Sequence, residues 1–163
     1  MELMIKTILM LVFFVYLYLL IKLILFKWNP VNIQSLFYQF QRTLHHPDMI
    51  FNRQGNYVPF REISRGIQSM SIYDPFSLSN LMGNIIAFIP FGIFIPMIFR
   101  QKGESFISVF MLSLTLSLCF EVTQLVLFIG TFDVDDLILN TFGGVVGYVV
   151  FRLLISRGVP KTA

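Results

Sequence analysis

The sequence predicts an all-α membrane protein, with about four transmembrane helices and an interfacial amphipathic insert between the first and second. Three observations predict it. Apolar runs occupy residues 8–26, 81–99, 106–129 and 137–155, each close to the roughly 20 helical residues that cross a hydrocarbon core of about 30 Å. Only 13% of the 163 residues are charged and 56% are hydrophobic, whereas about a quarter of a soluble domain is charged. Residues 28–79, by contrast, form neither a long apolar run nor a low-complexity tract. The chain, 1–163, is expected to be one membrane domain carrying that stretch as an extramembrane insert.

The first run follows Lys6 and ends at Lys27 and Trp28. It is longer than the apolar core of a signal peptide and lacks a small-residue cleavage site, so it is expected to be a retained helix, with Lys22 snorkelling toward the interface. In the insert, Ile33, Leu36, Phe37, Phe40 and Leu44 recur at helical spacing, as do Phe60, Ile63, Ile67 and Met70. Two short amphipathic helices lying in the membrane interface fit that pattern. His45 and His46 precede Pro47 and Asp48, where adjacent histidines are expected to be solvated rather than metal-bound. The second run contains Pro90, Gly92 and Pro96; proline removes a helical hydrogen bond, so a kinked spanning helix is expected. Arg100 and Lys102 close it, while Arg157 and Lys161 close the fourth run. Basic residues are denser beside the termini than in the long insert, which favours termini on the cytoplasmic side.

The net charge of +3 comes mostly from residues flanking the apolar runs, not from a basic stripe, so nucleic acid is excluded as a partner. The single cysteine, Cys119, rules out an internal disulfide and a multi-thiolate metal site.

Polar residues inside the apolar runs point to function. Ser113, Ser117, Glu121 and Gln124 follow i, i+4, i+8, i+11, a single stripe on the third helix. Asp133, Asp136, Asn140, Gly143 and Gly147 follow i, i+3, i+7, i+10, i+14 on the fourth. Gly143 and Gly147 form a GxxxG, which permits close helix approach. Topology places the loop GTFDVDD on the side of the long insert, so Asn80 and Asn84 enter from the same side. Glu121 lies nine residues before Gly130, about 13 Å along a helix. Side chains of three segments are therefore expected to meet in one half of the bilayer, in a polar pocket open to one face. Exposing them to lipid would cost roughly 2.5–3.5 kcal/mol for a charge at mid-helix.

Three readings of this cluster stay open. In the first, Asp133 caps the fourth helix, Asp136 sits in its first turn, and Asn80 and Asn84 hold helices together. In the second, Glu121, Asp133 and Asp136 hold a divalent cation such as Mg²⁺, Ca²⁺ or Mn²⁺, although DVDDLILNTFGG lacks the glycine and glutamate of an EF-hand loop. In the third, Glu121 and Asp136 perform acid–base chemistry on a lipid-linked substrate.

NLMGNIIAFIPFGIFIP, LCFEVTQLVLFIG and FDVDDLILNTFGGVVGY, with GNYVPFREI in the insert, resemble in order and spacing the motifs of the VanZ-like family of small bacterial membrane proteins. The resemblance covers roughly residues 5–155. Its matching positions are Asn56, Pro59, Phe60, Asn84, Pro90, Gly92, Glu121, Gln124, Asp133, Asp136, Asn140 and Gly143; Asp135 is given less weight. The resemblance implies a multi-pass protein of the bacterial cytoplasmic membrane that lowers susceptibility to teicoplanin-type lipoglycopeptides. It implies a binding site drawn from Asn56, Asn84, Glu121, Gln124, Asp133, Asp136 and Asn140, whose partner is the antibiotic or a lipid-linked cell-wall precursor. A metal-dependent membrane enzyme and a structural scaffold are the alternatives.

Overall fold

The computed structural model describes residues 2–27, 29–68, 75–99 and 105–158, of which 2, 75–80 and 155–158 by backbone alone. Among the described residues the elements are helices: α1 (Glu2–Ile24), α2 (Ile33–His45), α3 (Asp48–Phe51), α4 (Arg61–Gln68), α5 (Pro75–Ile98), α6 (Phe106–Val126) and α7 (Val134–Gly158). Four of them, α1, α5, α6 and α7, contain stretches long and apolar enough to cross a membrane. The molecule is an all-α, multi-pass membrane protein. The insert holds the two longer helices expected at its two periodic stretches, with the one-turn α3 between them; Met70 lies outside the described residues.

The helices extend beyond the apolar runs at several ends, and two boundaries shape the α6–α7 connection. α7 begins at Val134, with Asp135 and Asp136 in its first turn, because carboxylates favoured by the helix dipole there dilute a hydropathy signal without stopping the helix. α6 ends at Val126: the carbonyl of Gln124 accepts from the amides of Ile129 (3.2 Å) and Gly130 (3.4 Å), and Phe128 takes a left-handed φ of 56°. Residues 127–129 are apolar but turn.

α5 stays helical through Pro90 and Pro96. Proline leaves a carbonyl without its usual donor in the preceding turn. Pro90 frees the Ile86 carbonyl; at the neighbouring position the hydroxyl of Tyr16 on α1 donates to the Ala87 carbonyl at 2.8 Å.

α7 is packed between α5 and α6. An added Cβ at Gly143 would overlap the Ile85 carbonyl oxygen, one at Gly147 that of Ile89, and one at Gly92 that of Gly144. These paired positions advance together, so α5 and α7 run parallel with backbones in near contact. On α7's other side Gly144 faces Ser113, and Asn140 faces Ser117, which makes α6 antiparallel. Between apolar helices in lipid no hydrophobic force drives association, so contact rests on dispersion and hydrogen bonds; removing side chains at the seam maximises the first. α1 covers the outer side of α5 through Leu20, Ile24 and Leu25, which join Phe88, Phe91, Ile95, Val109 and Phe120 in the core. Phe13 packs at a tilt against Phe91 and Phe94, at centroid distances of 6.2 and 5.6 Å.

The insert closes over one end of the bundle. Thr43 on α2 donates its hydroxyl to the Val126 carbonyl at 2.7 Å, and Arg53 donates to that of Leu125 at 3.2 Å. Both carbonyls belong to the last turn of α6, where no intrahelical donors remain. Arg53 also lies over the Phe128 ring at 4.5 Å, a cation–π contact. The apolar positions that gave α2 its periodicity, Ile33, Phe37, Phe40 and Leu44, are exposed on the protein surface, as are His45 and His46.

Candidate functional site

The polar stripe of α6 is buried along its length: Ser113, Ser117, Glu121 and Gln124 all lie inside the bundle. Gln124 ties α6 to α1 by donating to the Ile24 carbonyl at 2.9 Å. It acts as a brace, apart from the carboxylates above it.

Asp133 is the N-cap of α7. Its Oδ1 accepts from the Asp135 amide at 2.8 Å, satisfying one of the first-turn N–H groups. The same oxygen accepts from the Asn56 side-chain amide, also at 2.8 Å. Asn56 and Asp133 pair along their backbones too: the Asn56 amide donates to Phe132 (2.8 Å), the Val134 amide to Asn56 (2.9 Å), and together they form an isolated parallel bridge. The first residue of the Asn-x-x-Pro-Phe element is thus fastened to the start of α7. The Asp133 amide itself donates to Glu121 Oε2 at 2.7 Å, which brings Glu121 to this end.

Asp135 is the residue that sequence reasoning undervalued. It is 1% exposed, and its carboxylate accepts from the amides of Phe60 (2.5 Å), Glu62 (2.7 Å) and Ile63 (3.1 Å). Those are the first free N–H groups of α4. Phe60, in the N-cap position, has φ of 66° and a side chain that cannot cap, so a carboxylate from α7 caps α4 in its place. Charge-assisted bonds of this kind are roughly twice as strong as neutral ones, and they offset the about 1–3 kcal/mol carried by a non-glycine residue in that backbone region. A short helix opening FREI without Ser, Thr, Asp or Asn at its cap position is the one sequence signal that a capping group comes from elsewhere.

Asp136 points elsewhere. Its Oδ1 accepts from the Asn84 side-chain amide on α5 at 2.5 Å. One turn further along α7, Asn140 donates to Ser117 Oγ at 2.9 Å, and the Ser117 hydroxyl reaches the Asp136 carbonyl at 3.5 Å. The α7 stripe therefore serves two neighbours: Asp136, Gly143 and Gly147 meet α5, while Asn140 meets α6. Asn80 falls among residues whose side chains are outside the description.

Glu121, Asn84, Asp133, Asp136 and Asn140 thus join α5, α6 and α7 at the end covered by the insert. The network is closed: Glu121 and Asn140 are both 0% exposed. A groove of about 220 Å³ lies to one side, between the end of α1 and the start of α2, lined by Leu25, Phe26, Val31 and Leu36 with Asn29 and Ser35. Two acceptors in the network are buried without a hydrogen-bond partner, Glu121 Oε1 and Asn140 Oδ1, where roughly nine in ten buried polar atoms have one. Neither Glu121 nor Asp136 has a Lys or Arg ion-pair partner among the described residues; the ion pair there is Arg65–Glu62 on α4. Also among the described residues, no group of three or more His, Cys, Asp or Glu side chains is placed to hold a metal ion.

Comparison with known proteins bears on this arrangement. The profile of the family described as VanZ/LLP1 matches residues 13–155. Protein VanZ of Enterococcus faecium is 36% identical over 138 residues, covering 85% of this chain and 70% of that protein. No solved structure matches.

Proposed function

This chain belongs to the VanZ/LLP1 family, and from that premise we propose that it acts in the bacterial cytoplasmic membrane to lower susceptibility to teicoplanin-type lipoglycopeptides. It does so by engaging the antibiotic, or a lipid-linked envelope precursor that the antibiotic targets, through the polar network at the insert-covered end. The observation that carries the site is the pair of buried, unpartnered acceptors on Glu121 and Asn140. Gln39, Ser113 and Thr141 also leave a buried side-chain atom unpartnered, but Glu121 is the carboxylate in that set among the described residues, and an ionisable group inside a membrane helix is costly to keep there. Glu121, Asp136 and Asn140 form the centre of the site, with Asn84 and Gln124 supporting them; Asp133 and Asn56 hold its rim. In this reading the exposed apolar residues of α2, Ile33, Phe37, Phe40 and Leu44, rest in the outer interface of the bilayer, where amphipathic helices partition, with the site beneath them.

Expression in a teicoplanin-susceptible host tests the reading. Wild-type protein is expected to raise the inhibitory concentration severalfold, and Glu121→Gln and Asp136→Asn, present at equal levels in the membrane, are expected to return it to that of the empty host. Equal susceptibility with and without the wild type defeats the proposal. Full resistance in both variants would leave the network a structural role only.

A further inference from the structure

The turn after α6 carries a second cluster, built on side chains that the carboxylate network does not use. α6 ends at Val126, the backbone folds back onto the Gln124 carbonyl, and Phe128 stands in the turn with φ of 56°. Two guanidiniums lie against its ring: Arg53, just after α3, at 4.5 Å and Arg42, from the last turn of α2, at 5.9 Å. A ring attracts cations within about 6 Å of its centroid, which accounts for either arginine singly. Arg53 has a further reason to be there, since it donates to the Leu125 carbonyl at the negative end of the α6 dipole. Arg42 has none. Its side chain donates to no acceptor among the described residues, and neither guanidinium has an ion-pair partner there, the ion pair being Arg65–Glu62. Two like charges gathered on one ring repel, and an anion shared between them replaces that repulsion with attraction.

The apolar span of α6 is Phe106–Val126, so Phe128 and its arginines sit just past its end, where a crossing helix leaves hydrocarbon for the headgroup layer. Lipid phosphates lie at that depth. The chemistry of the pair selects the same group. A guanidinium offers a planar fork of N–H donors that pairs with two oxygens at once. A carboxylate fills one such fork, whereas a terminal phosphate has three free oxygens and up to two negative charges, enough for both. We propose that Arg42 and Arg53, steadied on Phe128, form a clamp for a terminal phosphate group. Arg53 commits one nitrogen to Leu125 and Arg42 commits none, so most of the five N–H donors on each stay open. The clamp is separate from the carboxylate network and does not depend on it.

The phosphate can belong to a lipid headgroup or come free from water, and the test separates the two. Full-length protein in phosphatidylcholine nanodiscs is followed by thermal unfolding. The additions are phosphatidic acid in the disc, phosphatidylglycerol at matched surface charge, and inorganic phosphate or acetate in the buffer at matched ionic strength. Phosphatidic acid carries a terminal phosphate; that of phosphatidylglycerol is a diester with two free oxygens. A terminal phosphate at about five times its Kd is expected to raise the midpoint by about 2–4 °C. A rise with inorganic phosphate shows that the free ion suffices; a rise with phosphatidic acid alone assigns the clamp to a headgroup. Arg42→Gln, which removes no hydrogen bond that the side chain donates among the described residues, and Arg53→Gln are each expected to abolish the rise, measured against the same variant without ligand. The proposal is overturned by no rise with either terminal phosphate, by phosphatidylglycerol matching phosphatidic acid, by acetate matching inorganic phosphate, or by a rise retained in Arg42→Gln. The wild-type arms need no variant to fold. Failure here with intact Glu121-dependent resistance removes the clamp and leaves the proposed function standing.

Discussion

The middle of α7 meets α5 through Gly143 and Gly147, backbone against backbone, while its amino-terminal end, with the cap before it, meets α5, α6 and the insert through Asp133, Asp135, Asp136 and Asn140. One helix thus holds its neighbours by shape along its middle and by directed polar contacts at its start. Shape complementarity of this kind tolerates no added atom, because the obstacle at each glycine is a main-chain carbonyl and not a flexible side chain. Polar contacts are different: they can be weakened one at a time, and a partner can enter among them. The stretch built on glycines is suited to fixing the bundle, and the end built on carboxylates is where the proposed site lies.

The sharpest way to break that contrast is at the seam. Gly147→Leu forces α5 and α7 apart and is expected to cost about 3 kcal/mol or more, at the upper end for overpacking; denaturant unfolding in mixed micelles measures it, and a cost below 1 kcal/mol would contradict the close packing. Next comes Asp135→Ala, which strands three α4 amides and is expected to cost about 2–3 kcal/mol. Its signature is local, a faster amide exchange at 60, 62 and 63 with the seam unaffected. Thr43→Val removes one donor from the end of α6 and is expected to cost about 1 kcal/mol, read from the same unfolding curve. The smallest effect on stability belongs to Glu121→Gln, expected below about 1 kcal/mol because the amide oxygen still accepts from Asp133. If it destabilises as much as Asp135→Ala, Glu121 belongs with the structural carboxylates and the contrast between the two ends loses its functional half.

Much of this fold was legible in the sequence, for a physical reason. A helix that crosses lipid must be apolar for about 20 residues and must satisfy its backbone internally, so α1, α5, α6 and α7 announce themselves. The buried stripe on α6 was legible too, since Ser113, Ser117, Glu121 and Gln124 share a face at helical spacing. Asp133 as a cap follows from its place just before an apolar run. Asp135 was not legible. Its partners, Phe60, Glu62 and Ile63, stand more than seventy positions away, and nothing local separates a carboxylate that caps another helix from one that faces water. What the sequence left out is how these polar groups pair: Asn84 reaches Asp136 across α5 and α7, and Asn140 reaches Ser117 across α7 and α6, contacts between segments that spacing along one helix does not reveal.

The bridge between Asn56 and Asp133 has a consequence for how the protein comes into being. The insert leaves the ribosome long before the last helix does, and α4 then has neither its capping carboxylate nor the strand-like pairing that anchors residue 56. Local helices form quickly, but contacts so distant in sequence wait for the late segment. The insert is therefore the earliest part of the extramembrane surface to be made and the last to be finished, and the step that finishes it also sets Asp133 beside Glu121. A chain stalled before its final helix holds Asn56, Asn84, Ser117 and Glu121 without the partners that the last segment gives them.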